Sequence, residues 1–141
     1  MILNIETSAK ICSVALTEGV DAVWNKESGP EMEHSRLLAP YVQEALDVSE
    51  RREGELEAVA VSMGPGSYTG LRIGLSLAKG LCFSRNIPLI GIPTLEILAV
   101  KGLFKSMEWK GDELFVGMID ARRMEVYTAI YNSALKCIMD P

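Results

Sequence analysis

Apolar residues recur along the chain with two periodicities, one typical of strands and one typical of helices. Alternating or continuous apolar runs predict strands, and apolar positions three and four residues apart predict helices. The predicted strands are 1–5, 11–16, 22–24, 56–62, 89–92, 114–119 and 125–131, and the predicted helices are 35–48, 70–84 and 94–100. Ser35 and Thr94 are the predicted N-terminal caps of the first and third helices. This order predicts an α/β fold that combines a hairpin meander with parallel units.

The composition is that of a globular domain with ample material for a core. Hydrophobic residues make up 48% of the 141 residues, charged residues make up 23%, and the formal net charge is −5. Binding to nucleic acid needs clustered Lys and Arg, so any role with RNA requires a basic partner. Cys12, Cys82 and Cys137 are odd in number and lie in apolar surroundings. They predict reduced core thiols in a cytoplasmic protein, and the opening MILNIETS has no signal-peptide pattern.

The segment VSMGPGSYTGLRIGLSLAKG, residues 61–80, joins a predicted strand to a predicted helix through a glycine-rich turn. It departs from the GxxxxGK[ST] phosphate loop because Leu71 and Arg72 follow Gly70, and it misses the last spacing of GxGxxG by one residue. Ser67 or Thr69 can cap the helix, whose free N–H groups favour an anion. A tight turn that serves only close backbone packing also explains the glycines. Both interpretations stay open at this point.

Small residues give the helix over 70–84 a second face besides its apolar strip. They stand one turn apart, at Gly70 and Gly74 and again at Ser76, Gly80 and Ser84. Small residues at this spacing let another helix come close, and the helix over 35–48 is apolar over a wide arc. The pattern predicts either a two-helix surface for a protein partner or a wholly internal core.

Candidate catalytic residues are few. His34 is the only histidine, so neither a His-rich metal site nor a Ser-His-Asp triad is expected. Its polar surroundings predict a capping or surface residue. Glu6 and Asp120 end predicted strands, where carboxylates meet metals or nucleotides and also serve as turn partners. Arg122 and Arg123 beside Asp120 are interpreted as an ion-pair cluster.

Five segments together resemble the TsaB (YeaZ) proteins of tRNA threonylcarbamoyladenosine biosynthesis. They are ILNIETSAKICSVAL, EHSRLLAPYVQEAL, VSMGPGSYTGLRIGLSLAKGL, IPLIGIPTLEILA and IDARRMEVYTAIY. The resemblance runs from Met1 to Tyr131, and GPGSYTGLRIG is its most specific part. It implies an actin-like ATPase (ribonuclease-H-like) lobe over residues 1–105, with a mixed sheet opened by a β-meander and flanked by helices. Residues 106–141 would then begin a second, truncated lobe.

The resemblance also implies a supporting role rather than catalysis. Such proteins pair with their catalytic relative TsaD through helices corresponding to 35–48 and 70–84. With the ATPase TsaE, the pair moves a threonylcarbamoyl group from threonylcarbamoyl-adenylate to the adenosine beside the tRNA anticodon. The NHLEGH-type metal motif of the relative has two histidines where this chain has Thr94 and Leu98. We therefore expect no metal site and no catalytic residues here, tRNA contact only through the complex, and no membrane partner.

Two sets of site residues are predicted. The partner interface is assigned to Leu37, Leu38, Tyr41, Val42, Ala45, Gly70, Gly74, Leu77 and Leu81. Anion or nucleotide binding is assigned to Glu6, Thr7, Ser67, Tyr68, Thr69 and Asp120, with Glu6 standing where many relatives have Asp. The chain itself is expected to need no cofactor, and ATP or ADP is expected only at the complex interface.

Two alternative functions stay open. One is a stand-alone enzyme, either a sugar-kinase-like ATPase or a peptidase of the same superfamily. The other is a homodimer that forms through the same two helices when no partner is present.

Overall fold

The structure, a computed structural model, describes residues 1–31, 33–105 and 111–141. Its elements in chain order are β1 (Ile2–Glu6), β2 (Ser13–Glu18), β3 (Asp21–Glu27), α1 (His34–Arg51), β4 (Ala58–Ser62), α2 (Tyr68–Arg85), β5 (Leu89–Ile92), α3 (Thr94–Lys105), β6 (Leu114–Arg122), β7 (Glu125–Asn132) and β8 (Cys137–Met139). The predicted order of elements is confirmed, and among the described residues β8 is the one strand that the sequence pattern did not predict. Within the described ranges, no helix combines the length and the apolar character needed to cross a bilayer.

The chain forms two compact units. Unit 1 comprises residues 1–63 and 67–91, and unit 2 comprises residues 64–66 and 92–141. Helix α3 belongs to unit 2, whereas the sequence assigned it to the first lobe. The predicted domain boundary between residues 105 and 106 stays a prediction, and residues 106–110 lie outside the described residues.

Unit 1 is built on a mixed sheet with the strand order β3-β2-β1-β4-β5. Strands β1, β2 and β3 form an antiparallel meander, and β4 runs parallel to β1 with Val61 beside Ile5. All five residues of β4 are buried, as its continuous apolar run predicts. Side chains of the sheet and of α1 and α2 share one core, whose largest fully buried members include Leu3, Val14, Leu16, Leu38, Val59 and Val61.

Unit 2 is built on an antiparallel sheet with the strand order β6-β7-β8. Helix α3 packs against this sheet through a small core of Leu95, Ala99, Ala129 and Tyr131. Gly117 of β6 lies against the backbone of Leu95, where a Cβ would approach the Leu95 carbonyl oxygen to 2.6 Å. The close approach of strand and helix therefore depends on glycine at this position.

Predictions at two helix starts are wrong. Helix α1 begins one residue earlier than Ser35, after Glu33, and no side chain caps it. Pro40 is the seventh residue of α1, where its missing N–H leaves one helical carbonyl without its usual donor. Thr94 is the first residue of α3, and its Oγ1 accepts a hydrogen bond from the Gly64 N–H at 3.1 Å instead of capping the helix.

The three cysteines are free, and two of them match the prediction of core thiols. Cys12 and Cys82 are buried in unit 1, and burial raises the pKa of the Cys82 thiol. Cys137 is only half-buried, so its assignment to the core is corrected. A hydrogen bond to Asp140 raises the pKa of the Cys137 thiol, which lowers its thiolate fraction and its reactivity.

Candidate functional site

A junction in unit 1 brings together the end of β1, the end of β4 and the start of α2. Because β1 and β4 run parallel with Ile5 beside Val61, Glu6 and Ser62 are neighbours at the carboxyl edge of the sheet. One oxygen of Glu6, Oε1, accepts hydrogen bonds from Ser62 Oγ at 2.9 Å and from the Ser8 N–H at 2.6 Å. The carboxylate therefore ties β4 to the loop that follows β1.

Ser67 fixes the start of α2 to this junction. Its N–H donates to the Ser8 carbonyl at 2.6 Å, and its Oγ accepts from the Gly70 N–H at 3.2 Å. The helix cap that the sequence offered to either Ser67 or Thr69 is thus formed by Ser67, while the Thr69 side chain is exposed.

Gly70 and Gly74 pack against Thr7, which is fully buried. A Cβ on Gly70 would overlap the Thr7 carbonyl oxygen, and a Cβ on Gly74 would overlap Thr7 Oγ1. The loop after β1 passes directly over α2, and only glycine leaves room for it. These two glycines therefore serve a close approach within the chain, and their assignment to a partner interface stays a prediction.

The hydroxyl of Thr7 gives the first testable prediction. Its Oγ1 is buried and has no hydrogen-bond partner among the described residues. Thr7→Val keeps the side-chain shape and removes a desolvated hydroxyl, so we expect the free energy of unfolding to rise by about 1 kcal/mol. The matched control is Thr94→Val, which removes the acceptor of the Gly64 N–H and should lower that free energy by about 1 kcal/mol. Urea denaturation measures the free energy of unfolding of both variants. Equal losses of stability would mean that the Thr7 hydroxyl is not an unpaired buried group.

The residues predicted for anion binding are divided between the two units. Glu6, Thr7 and Ser67 lie together at the junction, and their role in anion binding stays a prediction. Asp120 lies in unit 2, where its Oδ1 accepts the Arg122 N–H at 2.7 Å. In the described part of the chain, no salt bridge joins Asp120 to a neighbouring arginine, so the predicted ion-pair cluster is corrected.

Two donors of the junction are already occupied. The Ser8 N–H and the Ser62 hydroxyl both donate to Glu6, so a phosphate that used them would have to displace this carboxylate. The negative charge of the phosphate would also lie beside the carboxylate. Neither serine was predicted from the sequence, although the parallel pairing of β1 and β4 places Ser62 beside Glu6 and could have identified it.

His34 was predicted to be a capping or surface residue, and this prediction is wrong. Its side chain is buried, and its Nε2 lies 2.9 Å from the carbonyl oxygen of Ala9. The imidazole therefore donates to that carbonyl and fastens the start of α1 to the loop after β1. Among the described residues, no three His, Cys, Asp or Glu side chains are grouped as metal ligands.

Most residues predicted for the partner interface lie inside unit 1. Four of them are buried in its core: Leu38, Tyr41, Val42 and Ala45. Three are half-buried against that core: Leu37, Leu77 and Leu81. The apolar arc of α1 faces its own sheet, which explains this burial. A partner surface on α1 and α2 stays a prediction, and its exposed part must be formed by other side chains.

The outer face of α2, defined here by Tyr68, Arg72, Gly80 and Phe83, is open to solvent. Phe83 exposes 91% of its surface and Tyr68 exposes 74%. The Arg72 guanidinium donates to the Tyr68 hydroxyl oxygen at 3.3 Å, and a Cβ on Gly80 would meet no atom within 4 Å. Aromatic side chains and arginine are enriched at protein interfaces. Phe83 was not among the residues predicted from the sequence, although it lies on the helix face opposite Gly70.

Comparison with known proteins gives matches over most of the chain. A family model described as TsaD, tRNA N6-adenosine threonylcarbamoyltransferase, matches residues 30–140. The tRNA threonylcarbamoyladenosine biosynthesis protein TsaB of Escherichia coli K12 is 38% identical over 130 residues, covering 92% of this chain and 54% of that protein. TsaB of Bacillus subtilis 168 is 35% identical with the same two coverages, 92% and 54%. The chain thus spans about half the length of the curated relatives it matches.

Solved structures match as well. YeaZ from Pseudomonas aeruginosa has a TM-score of 0.78 at 29% identity and covers 99% of this chain and 63% of that one. A second structure, described as an uncharacterized protein with similarity to peptidase YeaZ from the same organism, has a TM-score of 0.79 at 28% identity over 99% of this chain and 63% of that one. These matches confirm the predicted fold class, an actin-like α/β lobe with a mixed sheet opened by a meander.

Proposed function

Since the chain belongs to the TsaB (YeaZ) family, we propose that it acts in the biosynthesis of threonylcarbamoyladenosine in tRNA. The resemblance inferred from the five sequence segments is confirmed by this membership. Its proposed role is to bind and support a TsaD-type enzyme, together with a TsaE-type ATPase, without catalysing the transfer itself. It contacts tRNA only through that complex.

The exposed Phe83 on the outer face of α2 is the observation that carries this proposal. Burying a phenylalanine side chain is worth about 1.5–3 kcal/mol, and this ring is left almost entirely in water by its own chain. Tyr68 lies on the same helix 15 residues earlier, which is about 22 Å along the axis. A partner that covers this face gains two aromatic anchors, and α2 is one of the two helices that the family resemblance assigns to pairing.

The surroundings of Thr94 support a role without catalysis. Thr94 is buried, its Oγ1 accepts the Gly64 N–H at 3.1 Å, and its own N–H donates to the Gly64 carbonyl at 2.8 Å. Leu98, at the second position that corresponds to a histidine of the NHLEGH motif, has no atom that binds a metal. Thr94 therefore has a structural role at the first of the two positions, and the exposed Leu98 offers no metal ligand at the second.

Phe83→Ala tests the proposed interface. We expect its affinity for a TsaD-type subunit from the same source to fall at least about tenfold in calorimetry, because the variant loses the largest exposed anchor. Phe104→Ala is the matched control: Phe104 exposes 83% of its surface on α3 in unit 2, and its replacement should leave the affinity unchanged. If Phe83→Ala binds as tightly as the wild type, the outer face of α2 is not the interface. If the wild type does not bind, a TsaD-type subunit is not the partner.

Two further parts of the proposal concern the chain without its partner. We propose that it holds no cofactor alone and that ATP or ADP binds only where the complex forms. The outer face of α2 then pairs with a second copy of the chain, since an exposed apolar surface favours association. The same Phe83→Ala variant should lower the molecular mass measured by light scattering from dimer to monomer.

A further inference from the structure

Glu6 and Asp120 occupy the same place in two similar meanders, one in each unit. Glu6 ends β1, and its Oε1 accepts the N–H of the residue two positions later, Ser8, at 2.6 Å. Asp120 lies near the end of β6, and its Oδ1 accepts the N–H of the residue two positions later, Arg122, at 2.7 Å. Each acid belongs to the first strand of an antiparallel three-stranded run. In both units, therefore, a carboxylate accepts the backbone N–H two residues later: Ser8 lies in the loop after β1, and Arg122 is the last residue of β6.

In unit 1 the carboxylate takes a second donor as well. Ser62 Oγ donates to the same oxygen of Glu6 at 2.9 Å. One anionic oxygen thus lies between a backbone N–H and a hydroxyl, at the carboxyl edge of a parallel strand pair. Donors of this kind at this edge bind phosphate oxygens in α/β proteins. The carboxylate oxygen of Glu6 is in the place that a phosphate oxygen would take.

We propose that the Glu6 carboxylate is an internal anion that fills the oxyanion position of this junction and keeps phosphate-bearing ligands, nucleotides included, out of it. It does so in two ways. It uses the donors of Ser8 and Ser62, and its negative charge repels a second anion. This inference does not depend on the proposed function, because its test uses the chain alone without any partner.

The test measures the binding of tripolyphosphate, and separately of ATP with Mg²⁺, by calorimetry. Glu6→Ala is expected to bind tripolyphosphate at least tenfold more tightly than the wild type. Glu27→Ala removes the same charge from an exposed strand end and should leave the affinity as it is in the wild type. Circular dichroism establishes that each variant is folded. If Glu6→Ala does not fold, Glu6→Gln takes its place, since it keeps an acceptor oxygen but lacks the charge and should also bind more tightly than the wild type.

A second readout locates the binding. In the ¹H–¹⁵N spectrum, the Ser8 amide proton should move upfield in Glu6→Ala and return downfield when tripolyphosphate is added. Equal affinities of wild type and variants, including no detectable binding by any of them, would overturn the inference. So would tighter binding by the wild type, which would make Glu6 a ligand-binding residue, or a Ser8 resonance that tripolyphosphate leaves unmoved.

Discussion

Replacing Gly70 with alanine is expected to lower the free energy of unfolding of unit 1 by about 3 kcal/mol. The new Cβ would overlap the carbonyl oxygen of Thr7. This is a backbone atom, so a change of side-chain rotamer cannot relieve the overlap. The surroundings hold both partners in place: the Gly70 N–H donates to Ser67 Oγ at 3.2 Å, and the Ser67 N–H donates to the Ser8 carbonyl at 2.6 Å. Relief would require α2 to move away from β1, which would break these bonds and open the core between them.

Gly80→Ala is the control for this prediction, because it adds the same methyl group to the same helix. Gly80 is exposed, and its Cβ would meet no atom within 4 Å. Alanine is favoured over glycine inside a helix by about 1 kcal/mol, so this variant should be slightly more stable than the wild type. Urea denaturation followed by far-UV circular dichroism measures both variants. Equal stabilities would show that the contact between α2 and the loop after β1 is not rigid.

The contrast between these two glycines shows what their spacing can and cannot predict. Gly70, Gly74 and Gly80 all fit a pattern of small residues one turn apart, which indicates that something approaches the helix closely. The pattern does not say whether the approaching group belongs to another chain. In the structure Gly70 and Gly74 face Thr7, and Gly80 faces water. Only the path of the loop after β1 decides between the two outcomes, and that path is a tertiary feature.

The apolar arc of α1 has the same ambiguity. Periodicity predicted the helix and its apolar side correctly, because a 3.6-residue repeat identifies an amphipathic helix whatever covers it. The assignment of Leu38 and Val42 to a partner came from the family resemblance, and their burial in the core shows that the sheet of the same chain covers them. Phe83 was missed because apolar residue type alone does not show that a side chain is left exposed.

The acid at the end of β1 was identified from the sequence, but its role was not. A strand-end carboxylate can hold a metal, contact a nucleotide or bind a turn, and residue type alone leaves all three open. The distances from Glu6 to Ser8 and Ser62 favour the third role. The prediction for His34 was wrong for a similar reason. Nothing in its polar neighbourhood indicated that the Ala9 carbonyl, 25 residues earlier, would supply a buried acceptor.

Gly117→Ala is expected to destabilise unit 2 by about 3 kcal/mol, again because a methyl group meets backbone. Its Cβ would lie 2.6 Å from the Leu95 carbonyl oxygen and 3.3 Å from the Leu95 carbonyl carbon. Leu95 is fully buried in the first turn of α3, and it forms the core of this unit with Ala99, Ala129 and Tyr131. Separating the helix from β6 to make room would expose that small core to water.

Hydrogen exchange followed by mass spectrometry distinguishes a local effect of Gly117→Ala from a global one. Peptides from residues 111–141 should exchange about a hundredfold faster, as a loss of about 3 kcal/mol implies, while peptides from residues 1–63 keep their wild-type rates. Gly102→Ala is the control on the other side of the same interface: its Cβ would lie 3.4 Å from Phe115 Cδ1, an ordinary contact, in a helix that gains from alanine. Faster exchange in both regions would mean that units 1 and 2 unfold together. Unchanged exchange everywhere would mean that β6 and α3 are not held at the distance that makes Gly117 necessary.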